Sequence, residues 1–457
     1  MQGGRPRRSE PRRARPRSPE RIRGVPPVTP GYPGGPSRAP SQREGWGHRP
    51  AVPVLRRTCP SRRRISRRCH RGRGGKPVNP INELVSVKEI IVCAGSGGVG
   101  KTTTAAAIAL RAAMDGKKAA VLTIDPAKRL ASSLGLKELS SEPSKVSKAK
   151  FTSAGLKPKG ELHALMLDTK STFDKVVLRY APTPEQAERI INNRFYRNIS
   201  GTLSGTQEYM AMEKLYELHA DGGYDLIVID TPPTRNALDF LDAPKRLTDF
   251  FESRVLRWFL LPYMKATGGI MRIANVAATT FLRIVKKIVG AEVLEDTAEF
   301  FSNLEGMYDG FKQRAQDVAA LLKSDNTSFV VVTSPAEDSV TEATYFATRL
   351  NESGLPFGSL VVNRVHPSFG EPIDVTPRQL RRLQEGDERD RLLAKLLINE
   401  DRFRGLVHLE EKNLKGLARR IPRHLWVRVP YLQTEAVDFP GLIEIAERLF
   451  DGEAEAV

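Results

Sequence analysis

Short apolar runs punctuate the chain from residue 90 onward. Ile90–Ala94, Ala119–Ile124, Tyr224–Ile229, Phe329–Thr333, Ser359–Val362 and Leu425–Val429 are four to six residues long and mostly rich in β-branched side chains. They are too short for helices and read as buried strands. Polar residues or proline stop the last five runs: Asp125-Pro126, Asp230-Thr231-Pro232, Ser334-Pro335, Asn363-Arg364 and Pro430. Longer stretches of helical periodicity lie between them. This alternation predicts an α/β fold with a doubly wound, mostly parallel sheet whose ligand edge lies where the strands end.

The pattern changes between residues 244 and 323. Leu247, Phe250, Phe251, Val255, Trp258 and Phe259 step at helical spacing, as do Ile273, Val276, Phe281, Ile284 and Ile288. Pro262 and Gly268-Gly269 break the helices between these two stripes. Segments 169–220 and 244–323 therefore read as an inserted α-helical subdomain, and the whole interval 161–220 as further helix. The stripes either fill that subdomain's own core or form an apolar groove for a hydrophobic client helix. Arg283, Lys286 and Lys287 on the polar side also suit an anionic membrane surface.

Chemistry enters at the end of the first run. Gly95-Ser96-Gly97-Gly98-Val99-Gly100-Lys101-Thr102-Thr103 matches G-x-x-x-x-G-K-T between a strand and an Ala-rich helix over Thr103–Ala113. Such a loop wraps backbone N–H groups around a β-phosphate and adds the helix N-terminus. Lys101 is the cation for the β- and γ-phosphates, and the Thr102 hydroxyl is a magnesium ligand. A nucleoside triphosphate and Mg²⁺ are the ligands this predicts, on a P-loop NTPase fold. Asp230 closes an apolar strand and reads as the carboxylate that holds Mg²⁺ through water; a helix N-cap is its other reading. Asp125, at a second strand end, reads as the residue that orients or deprotonates the attacking water, again with an N-cap as the alternative.

Charge then divides the chain. Residues 1–77 carry 22 of the 72 Lys and Arg and 3 of the 53 Asp and Glu, hence the whole net charge of +19. Residues 78–457 are neutral, so composition does not mark the ATPase part as a nucleic-acid binder. With 14 of the 32 prolines and few aliphatic residues, segment 1–77 reads as a disordered Arg/Pro-rich tail. Met114 is the next methionine after Met1. A mis-called start, with Val78, Val85 or Val87 as the true one, is therefore one reading; a linker or a grip on phosphate backbones are the others. Residues 78–450 form the expected ATPase domain, and 451–457 an acidic tail. Two of the three cysteines lie in the tail, which fits a reducing compartment. No run reaches the ~18 apolar residues of a membrane span, and the predicted location is cytoplasmic.

The set of motifs resembles one family, the arsenical pump-driving (ArsA-like) ATPases, whose eukaryotic member guides tail-anchored membrane proteins. The residues that carry the likeness are Gly95–Thr103, Asp125-Pro126-Ala127, Asp230-Thr231-Pro232-Pro233-Thr234 with Leu238, Phe240, Leu241 and Pro244, Val361-Val362-Asn363, and Val429-Pro430-Tyr431-Leu432. They extend over about residues 88–450. The resemblance implies an ATPase of the deviant Walker A class, with ATP and Mg²⁺ as cofactors, that works as a nucleotide-sandwiched dimer. It places Asp125 in switch I, positioning water, and Asp230–Thr234 in switch II. It brings Asn363 to the adenine and closes the backbone around Pro430 and Leu432 over the base. Ser204–Glu208 resembles a family segment without an assigned role.

Departures refine this picture. The family loop usually reads G-K-G-G-x-G-K, and its first lysine reaches the partner's phosphates; Ser96 stands there in this chain. A hydroxyl has neither the charge nor the reach to replace it. Arg235-Asn236 stands where the family has Gly-His. A heterodimer with a lysine-bearing paralogue would keep one complete site. The alternatives are a catalytically weak ATP-binding subunit, or a positioning ATPase of the MinD/ParA kind, against which the acidic C-terminus argues. The absence of clustered thiols and of C-x-x-C argues against arsenite capture and a zinc-bridged dimer.

Overall fold

In this computed structural model the described residues are 79–125, 129–199, 206–232, 291–304, 307–368, 370, 373–432 and 438–451. The predictions for segment 1–77, for the apolar stripes of 244–290, for Arg235-Asn236 and for the tail beyond Asp451 lie outside them.

Eight strands form one sheet: β1 (Ile90–Ala94), β2 (Lys118–Thr123), β3 (Ser144–Lys145), β4 (Glu161–Met166), β5 (Leu226–Asp230), β6 (Thr327–Thr333), β7 (Phe357–Val365) and β8 (Trp426–Pro430). Their order is β3-β4-β2-β5-β1-β6-β7-β8. All pairings are parallel except β3 with β4. All six expected strands are present. β3 and β4 were not expected. In β4, Glu161 and His163 are only half-buried and alternate with buried Leu162 and Ala164, so the strand lacks the continuous apolar run of its central neighbours. Residues 161–166 are therefore strand, not the helix expected from 161 onward.

Helices cover both faces, because successive strand residues point to opposite sides. Ile91 and Cys93 of β1 join a core layer with Leu110 of α2 (Lys101–Met114). Ile90 and Val92 join the other layer with Tyr209 and Leu215 of the helix α8 (Thr206–Ala220). In sequence between these lie α1 (Pro80–Val87) before β1, and α3 (Arg129–Ser133), α4 (Lys148–Ser153), α5 (Thr169–Tyr180), α6 (Pro184–Asn192) and α7 (Arg194–Ile199) before α8. α9 (Ala291–Leu304) and α10 (Tyr308–Lys323) contribute Phe300, Phe311 and Val318 to the second layer. This described part of the insert thus shares the core of the main sheet.

The remaining helices follow the strands toward the C-terminus: α11 (Glu337–Glu352), α12 (Pro377–Glu385), α13 (Glu388–Ala418) and α14 (Phe439–Asp451). α2 is rich in alanine, and Ala105, Ala106, Ala107, Ala109, Ala112 and Ala113 are buried. Small side chains let this helix lie close to the sheet directly behind the phosphate loop.

Candidate nucleotide site

The C-terminal ends of β1, β2 and β5 lie side by side, because β5 sits between the other two. Register places Asp230 opposite Cys93 on one side and Thr123 on the other. The loop from Gly95 to Gly100 leaves β1 there and turns into α2. Gly95 has φ +152°, and a Cβ on it would sit 2.1 Å from the Val332 carbonyl oxygen. Gly100 has φ +97° and caps α2 without a side chain. Both positions require glycine, and the unpaired N–H groups of the first α2 turn open into the loop.

Inside the loop the Lys101 ammonium donates to the Ser96 carbonyl oxygen at 2.7 Å. Lys101 is buried, and burial lowers its pKa, against the attraction of Asp230 and Asp125. The Thr102 hydroxyl donates to Asp230 Oδ2 at 2.7 Å, and the Thr123 hydroxyl donates to the same oxygen at 2.9 Å. Asp230 Oδ1 is buried with no hydrogen-bond partner among the described residues. Burial raises the Asp230 pKa to about 6, although the two threonine hydroxyls pull it down. A carboxylate oxygen without a partner among the described residues, on a group that also meets the Thr102 hydroxyl, makes a pair of hard-oxygen donors that fits Mg²⁺ on a phosphate. Thr102 and Asp230 are the residues that would hold it.

Asp125 lies two residues beyond the end of β2, and the Thr123 hydroxyl accepts from its backbone N–H at 3.2 Å. Thr123 thus touches both aspartates, a role its place in an apolar run concealed. Gln207, in the segment Ser204–Glu208 that the sequence left without a role, donates its amide to the Ile124 carbonyl oxygen at 2.8 Å, tying α8 to the residue before Asp125. Ser96 is buried, and its hydroxyl is without a hydrogen-bond partner among the described residues.

Asn363 reaches the loop from β7. Its amide donates to the Val99 carbonyl oxygen at 2.8 Å, and its carbonyl accepts from the Arg364 N–H at 2.9 Å. Arg364 has φ 62°, a conformation uncommon outside glycine. Pro430 ends β8, and the Tyr431 N–H donates to the Val365 carbonyl oxygen at 2.9 Å. Tyr431 is exposed and stacks on His366 with ring centroids 5.2 Å apart. His366 in turn meets Glu410 of α13 at 2.6 Å. Leu432 follows, half-buried. Gly95–Thr103, Asp125 and Asp230 therefore share one sheet edge, with Asn363 on the loop itself and Pro430–Leu432 two strands beyond β6.

The parallel sheet and glycine loop define a P-loop nucleotide hydrolase. Residues 88–376 match the model of the anion-transporting ATPases, and the chain belongs to that family, whose activity is ATP hydrolysis. A chain of Aquifex aeolicus named for an arsenical pump-driving ATPase is 23% identical over 281 residues, 61% of this chain and 63% of that one. "ATPase GET3C" of Arabidopsis thaliana is 25% identical over 355 residues, 75% of this chain and 82% of its own. "ATPase GET3" of Malassezia globosa is 26% identical over 285 residues, 60% and 72% of the two chains. No described helix is long and apolar enough to cross a membrane.

Proposed function

We propose that this chain binds Mg-ATP and hydrolyses it as one half of a nucleotide-sandwiched dimer, coupling nucleotide state to a partner or hydrophobic client. The observation that carries the reading is the convergence of Thr102 and Thr123 on one oxygen of Asp230, which leaves its second oxygen buried without a partner among the described residues and the carboxylate in the field of Lys101. The metal would offset charge on the phosphates when bound. Lys101, now on the Ser96 carbonyl, would exchange that acceptor for phosphate oxygens. Thr102 and Asp230 would hold the metal, Asp125 would position the water, and Asn363 with Pro430 and Leu432 would border the base.

Ser96 favours a heterodimer, in which a homologue with lysine at that position completes one site. It equally favours a second reading, a subunit that binds ATP while its partner turns it over. Steady-state phosphate release tests both. The chain should hydrolyse slowly alone and faster when mixed with a Gly-Lys-Gly-Gly homologue from the same cell. Equal rates alone and mixed would sink the heterodimer. Asp125→Asn turning over like the wild type would sink the catalytic assignment.

A further inference from the structure

Six of the large apolar side chains exposed on this chain sit on one helix, α13: Leu392, Leu393, Leu396, Phe403, Leu406 and Leu409. The helix has 31 residues, and its two ends have different surroundings. Asn413 donates to the Pro335 carbonyl oxygen just before α11, and Arg420 donates to Thr348 near that helix's end. Residues 413–420 thus run along α11, beside the sheet. Glu410 is level with the end of β7, where it accepts from the His366 N–H at 3.0 Å. Everything upstream continues past the edge from which the phosphate loop springs. Phe403 still meets the His366 ring edge-on, with centroids 5.6 Å apart, so residues 388–402 project about 22 Å beyond that contact, at 1.5 Å per residue.

The stripe is continuous. At 3.6 residues per turn, Leu392, Leu396, Phe403 and Leu406 fall on the same face as Leu414 and Leu417. Leu414 and Leu417 are buried on the domain, whereas Leu392 and Leu396 are 59% and 57% exposed. Ala394, on the opposite side, is buried, and α12 packs against α13. The sheet has ended while the helix face that packs on it has not.

We propose that the α12–α13 hairpin is an arm whose apolar stripe lies along the second ATPase subunit, the one paired across the nucleotide. The proposal rests on the dimer reading above. Three features select this occupant. The arm extends on the side of the sheet where a nucleotide-sandwiched subunit must stand. The stripe offers roughly 220 Å², taking about 22 Å by a helix width of about 10 Å, well under the ~800 Å² per partner of a stable interface. It therefore fits an extension of a larger contact better than a dimer site of its own. The stripe is also a ridge interrupted by Asn399 and flanked by Lys395 and Arg402, which suits a protein surface offering hydrogen bonds and not a lipid phase.

The test uses the full chain with Mg²⁺ and a non-hydrolysable ATP analogue, alone and mixed with the lysine-bearing homologue. Sedimentation velocity reads the dimer dissociation constant. Leu392→Lys with Leu396→Lys should weaken the dimer at least about tenfold, since two cations would be desolvated at the contact. Analogue binding by the monomer and its melting temperature should stay unchanged, because both positions are exposed. A dimer of wild-type strength would overturn the arm and leave the dimer reading intact. No wild-type dimer in either mixture would overturn both. A photocrosslinking side chain at position 396 keeps the test independent of folding. It should join the second ATPase subunit; capture of a client, of lipid, or only of its own chain would refute the arm.

Discussion

At the ends of β1, β2 and β5 the functional groups are enclosed: Lys101, Thr123 and Asp230 are buried, and their hydrogen bonds run to one another or to the loop backbone. At the ends of β7 and β8 the groups are open, with Tyr431 54% exposed and held through a ring stack on His366. In the first region a change of one atom meets the backbone or an unpaired charge. In the second a side chain can be lost with little more than contact area. On the proposed reading, phosphate chemistry has no slack in the first region, whereas a wall beside the base can be remodelled cheaply in the second. Substitutions that cross this boundary test it.

The largest effect is expected at Gly95. A methyl group there would overlap the Val332 carbonyl oxygen, and a positive φ penalises any L-residue. Gly95→Ala should destabilise the chain by more than about 3 kcal/mol, near the upper range for single substitutions, read as the shift in a denaturant midpoint. It should also abolish nucleotide binding. Gly98, where an added Cβ meets nothing within 4 Å, is the internal control. There Ala should cost only the strain of its backbone conformation, about 1–2 kcal/mol.

The enclosed region was also the one most legible beforehand. A glycine loop after an apolar strand has few other uses, so the positions of Lys101, Thr102 and Asp230 followed from spacing. Thr123 was hidden because a lone hydroxyl in a buried strand looks like a tolerated polar residue until its neighbour across the sheet is known. The segment holding Gln207 stood out but had no role to read, because its contact with the Ile124 carbonyl joins residues 83 apart. β4 escaped because half-buried polar residues at alternate positions broke its apolar run. The α13 arm escaped because it is a helix by any reading. Only the place where the sheet stops shows that Leu392 and Leu396, on the same face as the buried Leu414 and Leu417, stand exposed beyond the strands.

Asp230→Asn gives a smaller effect and a sign that is easy to check. Burial holds the folded-state pKa near 6, above the ordinary value of 3.8, so the folded state favours the protonated form. That preference contributes stability below pH 4, and the contribution is lost as pH rises from 4 through 6. Above pH 6 the wild type carries a buried charge, without metal, that the amide does not. Free of metal and nucleotide, Asp230→Asn should therefore be the more stable protein at pH 8, by up to about 3 kcal/mol at 1.36 kcal/mol per pKa unit. The gain should shrink on approaching pH 4. Equal stability of the two proteins at pH 8, from urea midpoints, would show that Asp230 is not strained by burial. The same variant should lose magnesium-dependent turnover.

The smallest effect belongs to the open side. Tyr431→Ala removes an exposed ring from the His366 stack but leaves the Tyr431 N–H to Val365 bond, which is made by the backbone. An aromatic pair is worth about 0.5–1.5 kcal/mol beyond its buried area, and less where water reaches both rings. Stability should fall by under about 1 kcal/mol. If the strand end near Pro430 and Leu432 borders the base, nucleotide affinity should drop only a few-fold, with kcat unchanged, because the ring is remote from Lys101, Asp125 and Asp230. Leu should restore little of the loss and Phe most of it, since the stack needs a flat face and not the hydroxyl. A fall in kcat with KM unchanged would instead mean that the β8 end is coupled to the phosphate side. The division between an enclosed and an open half of the site would then have to be given up.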